Sequence, residues 1–129
     1  MILVFLLMCL SLNVFATTCE MDFNNPNEHN DRYGSIIHVS VTKISDFYEV
    51  SVKFPKEIES TELSFVVLQL MDGDAMLFGS QLDVTEFEYM SSVYFTLQNS
   101  LAVDAYLTSY YGTDCQSLIW KKVVFNEER

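Results

Sequence analysis

His29 and His38 are the chain's only imidazoles. Imidazole is the first group to look for as a general base or a zinc ligand near neutral pH. His38 lies between Ile37 and Val39 in a run of β-forming residues and reads as an ordinary strand side chain. His29 sits in a polar stretch and reads as a solvated one. No cysteine–histidine group has metal-ligand spacing. Asp22, Asn24, Asn25, Asn27, Glu28, Asn30 and Asp31 form an oxygen-rich run of the kind hard cations accept. The EF-hand spacing is missing, however, and such runs are turn formers first. Asp72 and Asp74 around Gly73 read the same way. No serine stands in a Gly-x-Ser-x-Gly elbow. No phosphate loop or dinucleotide fingerprint occurs, and nothing singles out a carboxylate pair for glycoside hydrolysis. The residue types argue against an enzyme, a cofactor and a metal site.

The aromatics carry more. Tyr106, Tyr110 and Tyr111 gather just before Gly112, and Phe87 and Tyr89 alternate with Glu86 and Glu88. Tyrosines beside a loop suit a recognition surface, because each ring offers a large contact area at little entropic cost. Aromatics also serve burial, and the rim of a β domain is the competing place for them. These five residues are the candidate recognition surface.

The elements that would position them are strands. Ile36 to Thr42 is rich in β formers. In Phe47 to Phe54, Tyr48, Val50, Val52 and Phe54 alternate with Glu49, Ser51 and Lys53, the pattern of a half-buried antiparallel strand that Pro55 then ends. Leu63 to Met71 is almost continuously apolar and suits a central strand covered on both faces. Asp72-Gly73 signals a hairpin, with the return strand at Ala75 to Leu82. Ser92 to Leu97, Leu101 to Tyr111 and Leu118 to Phe125 complete the set. About seven short strands with no useful amphipathic helix imply an all-β, antiparallel sandwich of Ig-like or fibronectin-like shape. The Cys–Trp–Cys order of true Ig domains is absent, since Trp120 follows both Cys19 and Cys115.

The start of the chain reads as an address. Ile2 to Leu10 is unbroken apolar sequence, too short for the ~20 residues of a membrane span. Val14 and Ala16 stand where a signal peptidase requires small residues, which predicts a signal peptide over 1–16. An irregular leader over 17–34 and a β-sandwich domain over 35–129 follow. The expected product is secreted, extracellular and not inserted in the membrane. Removal of Cys9 leaves Cys19 and Cys115, an even pair that reads as one disulfide in an oxidising compartment; free thiols or an intermolecular bridge are the alternatives. The net charge is −11 with only seven Lys and Arg, which argues against nucleic acid and anionic lipid as partners.

Three groups of residues resemble the reeler (reelin N-terminal) domain family. Cys19-Glu20-Met21, with Pro26 and His29, is similar to the family's opening. Tyr48-Glu49-Val50-Ser51-Val52, Leu63 to Met71 and Leu77-Phe78-Gly79 look like its core. Ala102-Val103-Asp104 and Leu118-Ile119-Trp120 resemble its closing segments. The chain departs from the pattern at Val66, Ala105 and Lys121-Lys122, and in the late position of Cys115. The resemblance implies a secreted, non-enzymatic recognition module, with microbial surfaces in innate defence as one ligand class. A secreted effector that binds a host or partner protein is the alternative.

Overall fold

The computed structural model describes residues 23–25, 28–99, 101, 103–112 and 118–125. Both cysteines of the expected bridge, Cys19 and Cys115, lie outside these residues, as does the signal segment 1–16. The fold is an all-β sandwich of two antiparallel sheets.

The first sheet has the order β1-β2-β7-β6, with β1 His38–Ile44, β2 Phe47–Pro55, β6 Thr85–Glu86 and β7 Met90–Gln98. The second has the order β3-β4-β8-β9, with β3 Glu57–Ile58, β4 Thr61–Asp72, β8 Asp104–Tyr111 and β9 Leu118–Val123; β5, Ala75–Leu82, pairs with β4 on the side away from β8. The alternation in β2 is realised: Tyr48, Val50, Val52 and Phe54 are buried, while the residues between them are exposed or half-buried. Val93, Phe95 and Leu97 extend this inner face along β7. Val66, Leu68 and Leu70 of β4, Ala105, Leu107 and Tyr111 of β8, and Ile119 and Val123 of β9 meet them from the other sheet. Each large apolar side chain buried here contributes about 1.5–3 kcal/mol.

β4 is central in its sheet but is not covered on both faces. Its inner residues are buried, whereas Phe65, Val67, Gln69 and Met71 on the outer face are only half-buried. The apolar run therefore combines a core face with a partly sheltered outer one. The expected hairpin after β4 forms one residue later than Asp72-Gly73 suggests: Asp72 pairs with Ala75, and Gly73-Asp74 make the loop with φ 58° at Gly73. A second two-residue loop, Glu59-Ser60, joins β3 to β4 with both φ values positive, as a type I′ turn requires. Neither residue is glycine, so the turn bears strain that its surroundings must hold.

The leader differs from its expected irregular form. Glu28–Tyr33 is an α-helix, α1, followed by a 3-10 turn at Gly34–Ile36. Acidic Glu28 and Asp31 near the N-terminus and Arg32 at the C-terminus suit the helix dipole. Six residues cannot hold a helix alone in water. Docking holds this one: the Trp120 backbone N–H donates to Asn30 Oδ1 at 2.7 Å. The strand expected from Ile36 accordingly begins at His38, and the one expected from Leu101 begins at Asp104.

Candidate functional site

The structure separates the five candidate aromatics into three environments. In β8, side chains alternate between faces, so Tyr111 points inward where Tyr106 and Tyr110 point outward. Tyr111 is 1% exposed, and its hydroxyl donates to the Pro55 carbonyl at 2.8 Å across the sandwich. Burial pushes its hydroxyl up to about 12. It is a core residue and no part of a recognition surface.

Tyr110 stacks on Phe65 of the neighbouring strand, with centroids 4.4 Å apart and planes 18° from parallel. Burial raises its pKa as well. Tyr106 is covered by the chain's own leader. Phe23 lies parallel to its ring at 4.0 Å and meets Trp120 edge-on at 5.4 Å. Lys122 Nζ stands 5.9 Å from the Tyr106 centroid, within cation–π range. This aromatic group seats the leader on the outer face of β8 and β9. It was not legible from spacing, because Phe23 and Trp120 lie at opposite ends of the chain.

Phe87 and Tyr89 remain open, at 53% and 79% exposure. β6 pairs with β7 through Thr85 and Glu86, and the Phe87 N–H donates to the Met90 carbonyl at 2.8 Å. This turn presents Phe87, Glu88 and Tyr89 to solvent. Beside it lies an open cleft of about 630 Å³ lined by Glu57, Glu62, Glu86, Glu88, Lys56 and Tyr89 among others. The Leu63 N–H to Lys56 carbonyl bond at 2.7 Å joins its walls. Four glutamates against one lysine give the cleft a negative potential with an aromatic ring at its edge. Such a site favours a cation: carboxylates supply charge and the tyrosine face supplies a quadrupole.

Asp22 and Asn27 of the oxygen-rich run lie outside the described residues, and the described acidic groups around α1 serve its docking. Glu28 Oε1 accepts from Arg32 at 2.9 Å, and Glu59 accepts from Arg32 and from the Tyr33 hydroxyl, each at 2.9 Å. His29 Nε2 lies 3.4 Å from Glu59. His38 is exposed on the edge strand β1. Among the described residues, no group of three or more His, Cys, Asp or Glu is arranged to hold a metal ion. A second cavity, of about 360 Å³, opens at the other end of the sandwich between Tyr48, Leu97, Leu101, Val103 and Phe125, with Asp72 and Asp104 at its wall.

Comparison with family models, with curated proteins and with solved structures returns no match for this chain.

Proposed function

We propose that the chain is a secreted, non-enzymatic recognition module, similar in kind to reeler-domain proteins, that captures a cationic partner at the Tyr89 cleft. One observation carries this reading: Tyr89, 79% exposed, stands beside four glutamates at one end of the sandwich. A large ring is left in water where ordinary packing would bury it, and contiguous exposed aromatics mark binding sites. The net charge of −11 steers basic ligands toward the molecule and repels anionic ones. The ligand class this favours is a basic protein, which is the partner-binding alternative; an anionic microbial glycolipid fits the cleft poorly.

The test is capture of poly-lysine, lipopolysaccharide and peptidoglycan by the purified chain. Poly-lysine should bind, and Tyr89→Ser combined with Glu86→Lys and Glu88→Lys should weaken it at least tenfold. Asp46→Lys with Glu49→Lys, a charge-matched change toward the opposite end of the same sheet, should weaken it much less. Equal loss from both sets would reduce the effect to net charge and remove the cleft from the account. Binding to lipopolysaccharide or peptidoglycan that survives the cleft variant would transfer the function to a microbial ligand.

A further inference from the structure

The Tyr89 cleft leaves β5 unexplained. Ala75–Leu82 bonds to β4 on one side, and among the described residues no strand pairs with its other side. Six of its eight residues are exposed. Met76, Leu77 and Phe78 are consecutive, apolar and 58%, 58% and 50% exposed. An edge strand presents a row of unpaired N–H and C=O groups, and proteins blunt such edges with Lys, Pro or inward charges. Ala75 to Leu82 contains none of these. Its one irregularity is a bulge: Met71 pairs with Met76 and Leu70 with Phe78, which leaves Leu77 without a partner on β4. Beyond it, Phe78 to Leu82 runs in regular register against Leu70 to Val66.

We propose that β5 accepts an added antiparallel or parallel strand from a partner polypeptide: an extended, uncharged segment with basic residues at both ends. Main-chain hydrogen bonds to the regular stretch supply the affinity, and the apolar surface of Leu77 and Phe78 takes an alternate side chain. Charge selects the occupant. Asp72 and Asp74 precede the strand, and Asp83 follows it. A second copy of this chain is disfavoured, because antiparallel self-pairing centred on Phe78-Gly79 sets Asp74 against Asp83 of the copy at both ends. Like charges directly opposite destabilise a strand pair, and each copy brings a net −11. A basic-ended segment turns the same three carboxylates into attraction. This site does not depend on the Tyr89 cleft.

The probe is a labelled synthetic peptide of alternating valine and threonine with two lysines at each end, titrated into the purified chain. Saturable binding is expected. The same core with glutamate ends should bind at least tenfold more weakly, and so should the lysine-ended peptide N-methylated at alternate residues, which keeps its charge but cannot pair. Leu77→Lys, at the position free of β4, should weaken binding without changing the circular dichroism. Absence of saturable binding, or equal affinity for the N-methylated peptide, overturns the proposal. A concentration-dependent dimer abolished by Leu77→Lys also overturns it, by naming a second copy as the occupant.

Discussion

At the scale of single residues, two buried hydroxyls on the same strand have opposite fates. The Tyr111 hydroxyl finds the Pro55 carbonyl, whereas Thr108 Oγ1 is buried with no hydrogen-bond partner among the described residues. A buried hydroxyl without a partner costs about 1–3 kcal/mol. Thr108→Val keeps the shape and removes that cost, so it should raise stability by about 1 kcal/mol in urea unfolding. Lower stability would mean that the hydroxyl is satisfied. Tyr111→Phe should do the reverse and lose about 1–2 kcal/mol, because it strands a carbonyl. Alkali tests the same bond. Folding favours the neutral phenol, whose pKa is pushed up to about 12 by burial. Its stabilisation is complete below the ordinary tyrosine value of about 10 and is lost as the pH rises through the folded value. One tyrosine should therefore ionise late, together with unfolding, in an absorbance titration, and Tyr111→Phe should remove that late step.

At the scale of elements, the seven longer strands were legible, whereas the two-residue strands β3 and β6 and the leader were not. Period-two alternation reports burial directly, so β2 and β7 could be read from Tyr48 to Phe54 and from Val93 to Leu97. β5 was legible to the residue, because Gly73 supplies the conformation its turn needs. The α1 helix is too short to show a period, and its stability comes from contacts distant in sequence. Tyr106 and Tyr110 share a face that spacing could reveal, but their covers, Phe23 and Phe65, could not be inferred from spacing. The α1 contacts make a prediction. The Tyr33 hydroxyl first, then His29 and Arg32, hold the Glu59 carboxyl below its ordinary value of 4.5. A depressed carboxylate stabilises above the unfolded value, and the contribution is lost as the pH falls through the folded one. The helix should thus stay docked at neutral pH and loosen in acid below the carboxylate range. Trp120, the sole tryptophan, reports it: its fluorescence should shift in acid, and Glu59→Gln should produce part of that shift at pH 7. An unchanged spectrum in Glu59→Gln would show that Asn30 and Phe23 dock the leader without Glu59.

At the scale of the whole molecule, the question is what closes the chain. Phe23 stands four residues after Cys19, and Trp120 five residues after Cys115. These two aromatics meet edge-on at 5.4 Å, and Asn30 accepts from the Trp120 backbone. Phe23 and Trp120 therefore share one outer face of the second sheet, and the cysteines themselves lie outside the described residues, so the expected Cys19–Cys115 bridge is a matter for direct test. Its effect would be mainly on the unfolded chain, since a loop spanning most of the domain loses much of its freedom when closed. The chain-entropy model gives about 4–5 kcal/mol for such a loop. That is a large part of the roughly 5–15 kcal/mol that holds a small domain. Protein recovered from an oxidising secretory pathway should have a mass lower by two hydrogens than the reduced form. Its denaturant midpoint should fall sharply on reduction, and Cys19→Ser with Cys115→Ser should unfold at the reduced midpoint whether or not reductant is present. Coincident curves for oxidised and reduced protein, with both thiols open to alkylation, would remove the bridge and leave the Phe23–Trp120 seat to hold the leader by packing alone.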